Sequence, residues 1–155
     1  MRGLLPSIVL WLLGIIATFA LLTGCSTGRK PTHPVVGKLM VDDSPATNAI
    51  ITLVPVDPSN SNSVNPTGLV QADGSFHFTT YKPKDGAPEG EYIVLVDWTR
   101  VDPKTKAEQA LVSSRYCNPK ESDLRVRISS GMTELPPLSI RSIVSERAGR
   151  GYRSR

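Results

Sequence analysis

Seven short runs of strand-forming residues, separated by turn residues, occupy the chain from residue 35 to residue 140. The runs are rich in β-branched and aromatic residues, which favour strands. Gly, Pro, Asn and Asp fill the intervals, where they mark turns. The runs lie at residues 35–41, 48–54, 68–71, 76–80, 91–98, 124–128 and 135–140. Regular spacing of this kind predicts an all-β fold in which two antiparallel sheets pack as a sandwich.

Individual runs carry further predictions about the sheets. Asp73-Gly74 is typical of a two-residue hairpin turn, so we expect one there. Side chains alternate along a strand, which puts Phe76 and Phe78 on one face and His77 on the other. The fifth run has the strongest strand content and is expected to be a central strand covered on both faces.

The N-terminal segment has the composition of a secretory signal peptide. Arg2 gives a basic start, an apolar run follows, and small residues close it. The four residues Leu22-Thr23-Gly24-Cys25 resemble the lipobox of bacterial lipoproteins. That resemblance implies a diacylglycerol on the Cys25 sulfur and cleavage just before Cys25. The alternative is an uncleaved transmembrane helix, because about twenty apolar residues can span a bilayer.

Both alternatives tie the chain to a membrane and leave its remainder outside the cytoplasm. We expect residues 1–24 to be a lipoprotein signal peptide, 25–34 a lipidated tether, 35–140 the β-sandwich and 141–155 a basic, disordered tail. The expected location is the cell membrane or the outer membrane. Membrane lipid is then a partner through acylated Cys25.

The formal net charge of +4 is unevenly distributed along the chain. Residues 31–140 hold 10 Lys and Arg and 13 Asp and Glu, a net charge of −3. Residues 141–155 hold five Arg against Glu146. The basic balance therefore belongs to the tail and not to the domain, so we expect no nucleic-acid partner.

Four stretches of the domain resemble the carboxypeptidase regulatory-like domain. They are Val36-Gly37-Lys38 and residues 49–55, 72–76 and 90–94. The resemblance covers residues 35–140 and implies a prealbumin-like (transthyretin-like) fold, which is a seven-stranded antiparallel Greek-key β-sandwich. Such domains hold no catalytic residues of their own. Their usual roles are adhesion, stabilisation and contact with carbohydrate or protein at a surface.

The polar residues of the domain form no recognisable catalytic or metal-binding set. Asp42, Asp43 and Asp73 lack the alternating spacing of a calcium loop. His77 has no second His or Cys at ligand spacing, which favours an exposed strand position. Cys117 is left unpaired if the first cysteine carries lipid, and we expect a small, partly buried residue. We predict no metal, no cofactor and no enzymatic activity.

The stretch 99–123 is long for a loop in a compact domain, and such loops tend to be functional or to hide a short element. Aromatic and Arg side chains are the usual anchors of interfaces. The predicted partner surface is therefore Trp98, Arg100, Arg115 and Tyr116. Packing at the end of the sandwich is the alternative role for the same four residues.

These predictions together describe a non-enzymatic, lipid-anchored envelope protein. Its β-sandwich would bind or scaffold a cell-surface component, either an envelope protein or a glycan. The alternative function is a carbohydrate-binding module at the cell surface.

Overall fold

The computed structural model describes residues 29–57, 59 and 64–143. Its strands are β1 (Val35–Val41), β2 (Ser44–Pro45), β3 (Ile50–Pro55), β4 (Thr67–Leu69), β5 (Ser75–Thr79), β6 (Gly90–Asp97), β7 (Thr99–Val101), β8 (Glu108–Ala110), β9 (Arg125–Ile128), β10 (Thr133–Glu134) and β11 (Leu138–Ile140). A 3₁₀ helix, Ser114–Cys117, lies between β8 and β9.

Several predictions fall on residues that the structure does not describe. They concern the signal peptide, Leu22, Thr23, Gly24 and Cys25, and most of the basic tail. Among the residues that are described, no helix has the length and apolar character needed to cross a membrane.

Each of the seven predicted runs coincides with a strand, which confirms the all-β, antiparallel prediction. Four further strands, β2, β7, β8 and β10, are only two or three residues long. Pairings this short need no run of strand-forming residues, so the spacing of such runs did not predict them. β1 also pairs in parallel with β10 and β11, whereas the other pairings are antiparallel.

The prediction was a sandwich of two separate sheets, but the structure has one main sheet, in which β5 joins the two halves. The strand order is β10-β1-β5-β4-β3-β6-β9, and β2 and β11 also pair with β1. β5 pairs with β1 on one side and with β4 on the other. The result is one strongly curled, half-barrel sheet beside a two-stranded ribbon of β7 and β8. Curling lets one sheet bury its inner face around a single core.

The core is built from alternate side chains of the curled sheet. Phe76 and Phe78 are fully buried, with their rings 5.3 Å apart in an edge-to-face arrangement, while His77 is exposed as predicted. Tyr92 is fully buried and its hydroxyl donates to the carbonyl of Pro88 over 2.9 Å. The opposite face of β6, predicted to be covered, is only half-buried at Ile93 and Leu95.

The strands separate two ends of the domain. One end holds His33, residues 80–89 and residues 129–132. We call it the tether end, because the residues before β1 lie there and His33 pairs with Ala87. We call the end with β7, β8 and the 3₁₀ helix the far end. β6 runs from one to the other, and its eight residues span about 25 Å. The chain also reaches residue 143 at the far end, where Ile143 donates to the carbonyl of Leu111.

Candidate functional site

A shallow groove of about 680 Å³ lies on the outer face of β3, β4 and β5. Ile50 and Leu69 are direct partners across β3 and β4, and they are 49% and 52% exposed. The groove is lined by Ile50, Thr67, Gly68, Leu69, Gln71, His77, Thr79, Pro83 and Lys84. An apolar strip bordered by hydroxyl, amide, imidazole and ammonium groups is typical of a binding surface.

The pleat of the strands positions these groups. β4 alternates with Gly68 inward and its two neighbours outward. Thr67 pairs with Thr79 on β5 and with Thr52 on β3, so three hydroxyls form a row beside the apolar strip. Gly68 cannot be enlarged easily, because a Cβ would lie 3.1 Å from the carbonyl oxygen of His77.

The β7–β8 ribbon at the far end is the most exposed regular element. All six of its residues are exposed, and Val101 is 57% exposed. Arg100 reaches across the ribbon to the Gln109 side-chain oxygen at 3.2 and 3.3 Å. Asp102 closes the ribbon by accepting backbone hydrogen bonds from Lys104 and Thr105, and these bonds hold the pKa of its carboxyl below the usual value. A closed ribbon presents Arg100 in a defined position.

Trp98 and Tyr116 serve the packing of the far end. The Trp98 indole donates to the carbonyl of Thr47 over 3.0 Å, and its ring packs against the core. Tyr116 is only 3% exposed. The guanidinium of Arg115 lies 4.5 Å from the centre of the Tyr116 ring and donates to its hydroxyl. Of the predicted partner surface, Arg100 is exposed, Trp98 and Arg115 are half-buried and Tyr116 is buried.

Cys117 follows Tyr116 and is a free cysteine. Its thiol donates to the carbonyl of Val96 over 3.2 Å. Partial burial, and then the nearby carboxylate of Asp97, raise the pKa of the thiol. A raised pKa disfavours the thiolate, which is the nucleophilic form of cysteine.

His33 lies within the predicted tether, and its side chain and backbone contact the domain. Its Nδ1 accepts a hydrogen bond from the Gly131 backbone at 3.1 Å, and its Nε2 lies 3.5 Å from Glu89. His33 is therefore in contact with two segments of the domain, at Ala87–Glu89 and at Gly131. Local sequence gave no sign of this, because the partners of His33 are 54 to 98 residues away.

The predicted turn at Asp73-Gly74 is a three-residue loop and not a two-residue one. Gln71 donates to the carbonyl of Ser75 over 2.8 Å, and only Gly74 takes a positive φ, of 83°. Asp73 accepts hydrogen bonds from the Ser75 hydroxyl and backbone, which lower the pKa of its carboxyl. Type I geometry followed by a left-handed glycine is a common three-residue hairpin loop.

The acidic residues considered for calcium serve turns. Asp42 and Asp43 have φ values of 47° and 62°, and the Asp42 carboxylate accepts from Ser142 over 3.3 Å. Within residues 29–57, 59 and 64–143, no three His, Cys, Asp or Glu side chains are grouped as metal ligands.

The fold and these surfaces define an all-β, largely antiparallel domain without assigning it to a family. No protein-family model matches the chain, and no curated protein matches it. Two solved structures are distantly similar to it. A 9R-lipoxygenase from Cyanothece has 14% identity and a TM-score of 0.38 over 82% of this chain and 20% of that one. A DUF3823 family protein from Parabacteroides merdae has 13% identity and a TM-score of 0.37 over 74% of this chain and 47% of that one. The chain thus spans less than half the length of either.

Proposed function

We propose that this protein is a non-enzymatic, lipid-anchored protein of the cell membrane or outer membrane, which binds or scaffolds an envelope component outside the cytoplasm. The Leu22-Thr23-Gly24-Cys25 sequence supports the anchor.

The separation of the two ends is the observation that carries the proposal. Arg29 follows Cys25 by four residues, which allow no more than about 14 Å of extended chain between the lipid and the tether end. The exposed ribbon with Arg100 and Val101 lies at the far end, about 25 Å away along β6. An anchored domain would hold this ribbon away from the lipid, where an envelope protein can reach it.

A carboxypeptidase regulatory-like, prealbumin-like sandwich remains our proposal for the finer fold. The spatial order β6-β3-β4-β5 supports it, because a fourth strand returning beside the first of three hairpin-connected strands is the Greek-key arrangement. In that description, β1 and β5 belong to one layer and β3, β6 and β9 to the other.

Two experiments in cells that make this protein test the proposal. Labelled palmitate should be incorporated into the wild-type protein and lost in Cys25→Ala; unchanged labelling would refute the anchor. A photo-crosslinking amino acid at Val101 should capture an envelope protein. The same amino acid at Ser130, exposed at the tether end, is the matched control. Equal capture at both positions would count against a partner surface on the ribbon.

A carbohydrate-binding module is the second candidate, supported by the outer-face groove. Rows of hydroxyl groups beside apolar side chains can hold a sugar, and the His77 imidazole offers a further polar contact in this groove. Binding on a glycan array that His77→Ala abolishes would favour this candidate. Equal, background-level signals for all glycans on the array would exclude the carbohydrate-binding candidate.

A further inference from the structure

Basic side chains gather at the tether end, around the point where the chain arrives. The guanidinium of Arg29 lies 5.2 Å from the centre of the Tyr81 ring, and the Lys30 ammonium lies 3.4 Å from the carbonyl of Ser59. Lys82 and Lys84 are exposed on the loop that follows Tyr81. We call Arg29, Lys30, Lys82 and Lys84 the basic rim.

The loop that carries the two lysines is held by its own hydrogen bonds. Asp85 accepts from the backbone N–H groups of Thr80, Tyr81 and Lys82 over 2.7, 3.0 and 3.0 Å. The backbone of Lys84 donates to the Thr79 hydroxyl over 3.0 Å. The lysine side chains therefore project from a fixed backbone, and ordering them against a surface costs less entropy than it would on a flexible loop.

Three neighbouring acidic residues contact partners other than Lys82 and Lys84. Asp85 faces three backbone N–H groups, Glu89 lies 3.5 Å from His33, and Glu91 lies 3.6 Å from Arg127. Across the described residues, no ion pair joins an acid to Arg29, Lys82 or Lys84. The charges of Arg29, Lys82 and Lys84 are thus available to an external anion.

We propose that the basic rim binds the anionic headgroups of the bilayer that holds the anchor. This inference rests on the proposed lipidation of Cys25, which brings Arg29 to within about 14 Å of the lipid. Basic clusters so close to an anionic leaflet are attracted to it, and the attraction fades within about 8 Å at physiological ionic strength. Headgroup binding would orient the domain so that the ribbon points outward.

Lysine acetylation of the lipidated protein tests this orientation, because lysines lie at both ends of the domain. The protein is purified from membranes and reconstituted in vesicles of phosphatidylcholine alone or mixed with a quarter of phosphatidylglycerol. Mass spectrometry then gives the acetylation rate of each lysine. We expect Lys82 and Lys84 to react several-fold more slowly on the anionic vesicles. Lys104 and Lys106 at the far end should react equally on both.

Paired variants keep the test specific. In Lys82→Gln/Lys84→Gln, the protection of Lys30 on anionic vesicles should be reduced, whereas the far-end variant Lys104→Gln/Lys106→Gln should leave it unchanged. Equal reactivity of Lys82 and Lys84 on the two vesicles, with Cys25 shown by intact mass to be lipidated, would overturn the headgroup site and leave the proposed function standing. An unmodified Cys25 would overturn both.

Discussion

His33 and Ala87 exchange both of their backbone hydrogen bonds, with N to O distances of 2.9 and 3.0 Å. This bridge fastens the arriving chain to the loop after β5. Gly86, beside the bridge, has a φ of 84°, a conformation that glycine adopts without strain. The described chain is therefore tied to the domain at His33, two residues before β1 begins.

Gly86→Ala should lower the free energy of unfolding by at least about 2 kcal/mol. An added Cβ would lie 1.7 Å from the carbonyl oxygen of His33. The variant therefore has to open the bridge, in addition to holding an alanine at a positive φ. Gly131→Ala is the matched control, because its φ is 89° and no heavy atom lies within 4 Å of the added Cβ. In urea unfolding, the control should lose about 1 kcal/mol of the free energy of unfolding. Equal losses in the two variants would contradict the bridge.

Asp85→Asn should destabilise the loop that presents Lys82 and Lys84. An amide NH₂ in place of one carboxylate oxygen would face backbone N–H donors that have lost their acceptor, and an unsatisfied donor costs about 1–3 kcal/mol. Asp123→Asn is the control, since Asp123 makes only an exposed ion pair of 4.0 Å. That change should cost less than about 1 kcal/mol. Hydrogen exchange at Tyr81 and Lys82 should accelerate in the first variant and not in the second.

The buried face of the domain was predictable because it depends on local alternation. Phe76 and Phe78 lie in the core and His77 outside it, as their spacing indicates. Pairing between distant segments was not predictable in the same way. β10 has two residues, and its parallel contact with β1 joins Val35 to Thr133 without any local pattern. The outer-face groove likewise depends on the register that sets Ile50 opposite Leu69.

The exposure of the residues in the predicted partner surface likewise could not be predicted from the sequence. The Arg and aromatic residues around 98–116 predicted a partner surface. Composition alone does not distinguish an exposed residue that could bind a partner from one that packs against the core. Tyr116 is buried because the 3₁₀ helix turns it into the core, while Arg100 is exposed because both faces of the ribbon meet solvent. Alternation within a lone two-stranded ribbon selects no buried face, so sequence could not rank these two residues.

Tyr92→Phe should lower stability by about 1 kcal/mol at neutral pH, because it removes the hydrogen bond to Pro88. Burial of the Tyr92 hydroxyl, and then the neighbouring Tyr81, raise its pKa above 10.0. The folded protein therefore holds this proton more tightly than the unfolded chain. Its stabilising contribution is present below pH 10 and is lost as the pH rises through the raised pKa. Between pH 7 and pH 11, the free energy of unfolding should fall less steeply in the variant than in the wild type. Parallel curves would show that burial does not raise the pKa of Tyr92.

Acid stability should depend in part on Asp73. Hydrogen bonds from the Ser75 hydroxyl and backbone lower the pKa of Asp73 below 3.8 in the folded state. Since the unfolded chain takes up this proton first, the contribution is present above pH 3.8 and is lost as the pH falls through the lowered pKa. In Ser75→Ala the hydroxyl donor is removed and the backbone donor is kept, so the pKa of Asp73 should rise toward its ordinary value. A carboxyl titration by NMR, run on wild type and variant, measures the difference directly. An identical midpoint in the two proteins would show that the Ser75 hydroxyl does not stabilise the carboxylate.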